Sequence, residues 1–104
     1  MEYLVVGHAV RGHKWQIENC INMRRGLQQF QDDSRTKNLY GFAGEPSGCV
    51  VCEVKNPQEL DEYLALNPLT QLFDWRVHSL TTAEQTLATL EKVENQLRSI
   101  QRAA

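Results

Sequence analysis

Three polar side chains alternate along one predicted strand, and their types suit proton transfer on a small carboxylate. Asp74, Arg76 and His78 lie at i, i+2 and i+4, so they project from one strand face at intervals of roughly 7 Å. An arginine can bind a carboxylate through two hydrogen bonds, and a histidine can move a proton near neutral pH. The spacing predicts substrate binding by Arg76, with His78 and Asp74 as catalytic residues. An ion pair of Arg76 with a neighbouring carboxylate at an interface rim is the alternative.

Three further residues are candidates for the same site. Glu53 shares the strand face of Cys49 and Val51, and a carboxylate on an otherwise apolar face could be a catalytic base with a raised pKa. Tyr40 and His8 are candidates for substrate binding from two other predicted strands. His8 could instead only cap the end of its strand.

The cysteines and histidines do not predict a metal or disulfide site. Three cysteines are an odd number, which argues against a disulfide framework. Cys49 and Cys52 have C-x-x-C spacing, but strand residues i and i+3 face opposite sides roughly 10 Å apart, farther than a disulfide allows. We interpret both as small core residues. The three histidines lie on separate elements, so we expect no metal and no other cofactor.

Composition limits the class of protein. The chain has 104 residues, enough for one domain core. Lys plus Arg is 11 and Asp plus Glu is 13, and the resulting net charge of −2 comes without a basic block, so nucleic-acid binding is disfavoured. The apolar runs, such as Leu4–Val6, are too short to span a membrane, and no signal-peptide pattern precedes the first strand. The sequence therefore predicts a cytoplasmic protein.

The hydrophobic pattern predicts the order β-α-β-β-α-β followed by a C-terminal helix. The predicted strands are Glu2–Val10, Leu39–Ala43, Cys49–Val54 and Leu72–Leu80. The predicted helices run from about His13 to Gln31, from Pro57 to Asn67, and from Thr82 towards Arg102. Capping boxes at Asn56-x-x-Glu59 and Thr81-x-x-Glu84 open the last two helices. This order is typical of a ferredoxin-like α+β fold with a four-stranded antiparallel sheet, in which residues 1–80 form the domain and 81–104 an oligomerisation or packing extension.

Two apolar surfaces are left for partners. Two helices cover only one face of such a sheet, yet Cys49–Val54 is apolar on both sides, and Tyr40 and Phe42 share one face. A homodimer packed sheet against sheet would bury the second face, and a small ligand could lie between the sheets. The C-terminal helix has apolar residues at spacings of 3, 3, 4 and 3, so we expect it to pack on its own domain, on another subunit or on a protein partner.

The middle of the chain resembles the muconolactone isomerase-like family. Its most specific part is Leu66-Asn67-Pro68-Leu69, followed by Phe73-Asp74-Trp75-Arg76-Val77, within a resemblance that covers residues 39–80. The resemblance implies a dimeric α+β barrel, sheet-to-sheet dimers, higher oligomers, and transfer of a proton within a small lactone without metal or cofactor. Gly41 stands where the family has a basic residue, and Glu45 where it has a histidine-type residue.

The expected function is therefore binding or isomerisation of a small carboxylate or lactone-type molecule in an inter-sheet cavity. These two differences from the family, at Gly41 and Glu45, fall near the expected carboxylate site. The resemblance therefore supports the fold more strongly than the reaction. Two alternatives stay open. One is a non-catalytic oligomerising or regulatory protein-interaction module, and the other is a cofactor-free or haem-handling monooxygenase of the dimeric barrel class.

Overall fold

A computed structural model describes residues 1–10 and 16–103 of the chain. In chain order, the elements are β1 (Glu2–Ala9), α1 (Ile17–Asp32), β2 (Thr36–Gly41), β3 (Ser47–Glu53), α2 (Pro57–Ala65), a 3-10 helix (Pro68–Gln71), β4 (Phe73–Ser79) and α3 (Ala83–Ala103). The strands form one antiparallel sheet in the order β2-β3-β1-β4. This confirms the ferredoxin-like α+β fold. The predicted helix start near His13 lies outside the described residues.

Strand alternation divides the sheet into two faces of different character. The face under α1 and α2, here called the helix face, contains Val5 of β1 opposite Val50 of β3, with Tyr3 opposite Cys52. These side chains meet Phe30 of α1 in the core. The complete set of buried apolar residues is Tyr3, Val5, Phe30, Val50, Cys52, Val54, Leu60, Tyr63, Leu69, Leu72 and Phe73. Burial of this set drives the fold, since apolar burial contributes about 25 cal/mol per Å².

A buried asparagine joins α1 to the 3-10 helix. The Asn67 side chain is 3% exposed, its Nδ2 donates to the Gly26 carbonyl at 2.9 Å, and its Oδ1 accepts from the Leu69 amide at 2.8 Å. Pro68 follows at the first position of the 3-10 helix, where its missing N–H is tolerated. The Asn-Pro pair of the sequence therefore both ends α2 and holds the 3-10 helix against α1.

Two side-chain caps explain where α2 and α3 begin. The Glu59 amide donates to Asn56 Oδ1 at 2.9 Å, which confirms the predicted N-cap of α2. The predicted box at Thr81 and Glu84 was wrong by one residue. The Gln85 amide donates to Thr82 Oγ1 at 3.1 Å and Gln85 Oε1 accepts from the Thr82 amide at 3.3 Å, so the pair one position later makes the reciprocal bonds.

Helix α3 does not pack on its own domain. None of its described side chains is buried. The described residues extend 65 Å along their longest axis. The apolar stripe stays 43–66% exposed and consists of Leu87, Leu90, Val93, Leu97 and Ile100. Of the expected arrangements, packing within the same copy is therefore not the one that the structure shows.

In the described ranges, we find no helix with the length and apolar character needed to cross a membrane.

Candidate functional site

A row of three glycines crosses the sheet on the helix face. Gly7 of β1 lies opposite Gly48 of β3, and Gly48 lies opposite Gly41 of β2. On the other side of β1, Gly7 lies opposite Trp75 of β4. A Cβ atom at Gly7 would lie 2.7 Å from Trp75 Cζ3, so only glycine lets the indole ring lie over this point of the sheet. Because these glycines have no side chains, the sheet surface here is lower than at neighbouring residues, and we call this surface the glycine floor.

A cavity of about 160 Å³ lies between this glycine floor and α1. Met23, Leu27 and Phe30 of α1 line it, and Phe73 and Trp75 line it from β4. A cavity of about 150 Å³ with an apolar lining can hold benzene. The space therefore fits one six-membered ring.

The aromatic side chains of the cavity wall hold one another in place. Trp75 meets Phe30 edge-on, with ring centroids 6.0 Å apart, and its centroid is 5.7 Å from that of Phe73. Phe30 in turn packs on Tyr63, with centroids 5.0 Å apart. These tilted contacts are the geometries that aromatic rings prefer. Trp75 Nε1 is buried and makes no hydrogen bond in the structure.

The polar groups of the cavity come from β2, β3 and the loop between them. Tyr40, Glu45, Ser47 and Cys49 line it, and Ser47 Oγ lies 3.1 Å from His8 Nδ1. No lysine, arginine or histidine is among the described lining residues. Strand alternation turns the side chains of Tyr40, Ser47 and Cys49 toward the sheet face opposite α1. Glu45 is therefore the ionisable side chain that the described lining offers, and that lining has no cation for a carboxylate ligand.

The residues predicted on β4 lie on the sheet face opposite α1 and α2, here called the open face. Arg76 is opposite Val6 of β1, His78 is opposite Leu4, and Asp74 is opposite His8. The alternation therefore places Asp74, Arg76 and His78 on one face, as the spacing indicated, and all three are exposed. They do not line the cavity. Their roles in a site between two sheets stay predictions.

Glu53 is not a base with a raised pKa. Its Oε2 lies 2.6 Å from Lys37 Nζ, and this hydrogen bond, with the charge of Lys37, lowers the pKa of Glu53. Lys37 Nζ also lies 3.7 Å from Glu2 Oε2. The expectation was wrong because Glu53 lies at an exposed end of the sheet beside a cation, and not within an apolar surface.

Tyr40 and His8 occupy different positions relative to the cavity. Tyr40 is 57% exposed and is the one predicted site residue that lines the cavity. The exposed His8 lies on the open face, its ring centroid 6.3 Å from that of Phe42. Within the described ranges, we find no group of three or more His, Cys, Asp or Glu side chains placed to bind a metal ion.

Sequence reasoning missed the cavity itself. Its signal was present as isolated glycines inside predicted strands, which mark a close approach of other groups to the backbone. Trp75 was expected on the helix-packing side as a core residue, and that placement is confirmed. The free Cys49 and Cys52 lie on opposite faces, as expected from their spacing.

Comparison with known proteins identifies the fold. No protein-family model and no curated protein matches the chain. A crystal structure of muconolactone isomerase superposes with a TM-score of 0.65 and 19% identity, over 79% of this chain and 90% of that one. The chain has a muconolactone isomerase-like fold. A 5-chloro-2-hydroxyhydroquinone dehydrochlorinase from Burkholderia phenoliruptrix, in complex with 2,5-dihydroxybenzoquinone, superposes with a TM-score of 0.57 and 15% identity, over 82% and 98%. At these identities, the likeness shows the muconolactone isomerase-like fold and not a reaction.

Proposed function

We propose that this protein binds a small, neutral molecule with a single ring in the cavity between α1 and the sheet. The observation that carries the proposal is the cavity of about 160 Å³, with its glycine floor and aromatic wall. Such a space removes part of a ring's surface from water and gains the free energy of that apolar burial. The single-ring quinone bound by the structurally similar dehydrochlorinase supports a ligand of this size.

The charge of the described lining supports a neutral ligand over the carboxylate expected from the sequence. Glu45 is the acidic residue among the described lining residues, and none of them carries a positive charge. A carboxylate bound there would be repelled without a counter-charge. A neutral lactone meets no such cost. Among the described lining residues, Glu45 is also the carboxylate available as a general base if the bound molecule is isomerised.

A cavity-filling variant tests the proposal. A Cβ atom at Gly41 would have no other atom within 4 Å, so Gly41→Leu can add a side chain to the cavity lining without a clash at Cβ. The matched control is Ala43→Leu, because Ala43 is exposed and does not line the cavity. We expect cyclohexanone to stabilise the wild type and the control by about 2.7 kcal/mol at 100 times its Kd, and to leave Gly41→Leu unchanged. Equal thermal shifts in all three proteins would contradict the proposal.

A second candidate function is self-association through the open face. Four apolar side chains of this face are only half-buried in a single copy: Leu4, Val6, Cys49 and Val51. Together with the exposed Tyr40, they form a surface that a second copy would cover by packing sheet against sheet. The ionisable residues of β4 would then line the rim of that interface. A site at this rim would use His78 and Asp74 as catalytic residues and Arg76 for substrate binding.

Sedimentation tests the self-association. Wild type is expected to sediment as a dimer or a larger oligomer at micromolar concentration. Val51→Glu, which places a charge opposite Leu4 at the interface, is expected to sediment as an 11.9 kDa monomer. Gln58→Glu adds the same charge on exposed α2 and should leave the oligomer intact. A wild-type monomer at this concentration would contradict the candidate function.

Helix α3 offers a separate surface for the same function. The exposed stripe is too short for a convincing independent coiled coil, so we propose that it reinforces contact between copies. Leu90→Glu with Leu97→Glu should then weaken the oligomer. Asn95→Glu with Ser99→Glu, which adds the same two charges away from the stripe, should not. If the two double variants sediment alike, α3 has no part in the assembly.

A further inference from the structure

A serine, a histidine and an aspartate lie side by side in one row across the open face of the sheet. His8 of β1 is opposite Ser47 of β3 on one side and opposite Asp74 of β4 on the other. Side chains directly opposite each other in antiparallel strands have Cβ atoms about 4.5–5.5 Å apart and interact. The strand register therefore brings together the three residue types that serve many hydrolases as nucleophile, base and orienting acid.

The serine and the histidine of this row form a hydrogen bond. Ser47 Oγ lies 3.1 Å from His8 Nδ1, within the range of about 2.6–3.2 Å that joins a nucleophile to its general base. His8 is exposed and Ser47 is half-buried, so a small molecule can approach the pair from solvent. The row lies at one end of the sheet, because Ser47 is the first residue of β3 and Ala9 is the last of β1. A second copy packed on the open face would therefore meet this row at its rim.

Asp74 supplies the third part of the arrangement. When Nδ1 of neutral His8 accepts from the Ser47 hydroxyl, the ring proton is on Nε2. A carboxylate that accepts from Nε2–H fixes this tautomer and stabilises the imidazolium that forms when Nδ1 takes a proton. Asp74 is the carboxylate on the neighbouring strand opposite His8. Its side chain is not hydrogen-bonded to the ring in this structure, and catalytic hydrogen bonds of this kind often form fully only with substrate bound.

We propose that Ser47 and His8 form a second site, positioned by Asp74, which cleaves small carboxylic esters and lactones through an acyl-enzyme. Ser47 Oγ bonds to the acyl carbon while its proton passes to His8 Nδ1. The bond from that carbon to the alcohol oxygen then breaks, and His8 gives the proton to the leaving alcohol. A water molecule, deprotonated by His8, hydrolyses the acyl ester and restores Ser47.

The site is separate from the cavity under α1, so this inference goes beyond the proposed ligand binding. Phe42 lies beside the pair, with its ring centroid 6.3 Å from that of His8. Its half-buried ring gives an apolar surface against which the acyl group of a substrate would pack.

A fluorophosphonate tests the nucleophile directly, because it modifies a serine that a neighbouring base activates. Ser47 Oγ bonds to phosphorus, fluoride leaves, and His8 takes up the proton. We expect mass spectrometry to find the label on Ser47, and His8→Asn to lower the labelling rate by about 100-fold or more. Ser79→Ala is the matched control, because it removes an exposed strand serine that lies opposite Tyr3, and it should leave labelling unchanged.

The ester 4-nitrophenyl acetate tests turnover and the role of Asp74. Wild type should release an initial burst of about one 4-nitrophenolate per chain, and Ser47→Ala should show no burst. Asp74→Asn should lower the burst rate by about 10-fold or more with KM unchanged, because Asp74 acts through His8 and does not touch the substrate. Asp74→Glu retains the carboxylate and should restore part of the rate. Circular dichroism should show the same fold in all variants.

The outcomes distinguish this inference from the proposed function. A folded wild-type protein that stays unlabelled at Ser47 would refute the site, and so would a burst that Ser47→Ala retains. Equal burst rates in wild type and Asp74→Asn would refute the role of Asp74. Gly41→Leu should be labelled at the wild-type rate. Loss of cyclohexanone binding with labelling intact would separate the two sites, and labelling that falls with Gly41→Leu would contradict their independence.

Discussion

Replacement of Gly26 by alanine is expected to destabilise the protein, although alanine is the better helix former. Gly26 lies inside α1, where a change from glycine to alanine ordinarily stabilises by about 1 kcal/mol. Here the new Cβ would collide with Leu69 Cγ and lie 2.7 Å from Asn67 Oδ1. Leu69 and Asn67 are 2% and 3% exposed, so neither can move into solvent. The direct contact therefore opposes the gain in helix propensity.

The destabilising effects of the new Cβ atom are larger than the gain in helix propensity. Overpacking a core costs about 1–3 kcal/mol, and displacing the buried Asn67 amide from the Gly26 carbonyl costs about as much again. After the helix gain is subtracted, the expected loss in the free energy of unfolding is about 3 kcal/mol. The same displacement moves Leu69, which lines the cavity, so ligand affinity should fall too.

Urea denaturation followed by circular dichroism measures this loss. The control is Arg24→Ala, which lies on the same helix but is exposed, and it should change the free energy of unfolding by less than about 0.5 kcal/mol. A Gly26→Ala protein as stable as wild type would refute the reasoning, because it would show that the 3-10 helix yields without cost.

Two pH predictions follow from buried or paired groups. Burial raises the pKa of Tyr63 from 10.0 to about 12, so the unfolded chain loses this proton at a lower pH than the folded protein does. This difference contributes about 3 kcal/mol to the free energy of unfolding below pH 10, and the contribution should be lost between pH 10 and 12. Tyr63→Phe should abolish that part of the decline, and an unchanged decline in urea titrations would exclude Tyr63 as its source. The hydrogen bond from Arg35 lowers the pKa of Asp33 below 3.8 in the folded protein. The ionised Asp33 therefore stabilises the fold above pH 3.8, and this contribution is lost as the pH falls through the pKa of Asp33 in the folded state. Asp33→Asn should reduce the loss of stability in acid, and an acid transition identical to that of wild type would contradict the assignment.

The order of elements and the faces of the strands were predictable from local pattern. The alternation in β4 put Trp75 on the helix side and Arg76 on the open face, because successive strand side chains point to opposite sides. The same rule separated Cys49 from Cys52 in spite of their C-x-x-C spacing. The cytoplasmic location and the catalytic roles on the open face stay predictions.

The cavity could not be predicted, because it depends on contacts between distant parts of the chain. Gly7, Gly41 and Gly48 become neighbours only through the register of three strands. Likewise, Glu53 was misjudged from its own strand, since the cation that lowers its pKa is Lys37 of β2. Charge and packing partners of this kind depend on which strands pair, and on a register that turn geometry sets together with the hydrophobic pattern.

The amino-acid sequence by itself determined the βαββαβ order, the two faces of the sheet and the apolar stripe of α3, because each follows from a repeat of 2 or 3.6 residues along the chain. Only the tertiary structure decided that a cavity lies under α1 and that the Trp75 N–H is left without an acceptor. It also decided that α3 leaves its own domain. The physical reason is that these features depend on strand register and on the packing of α1 over the glycine row, which residues far apart in the chain fix together.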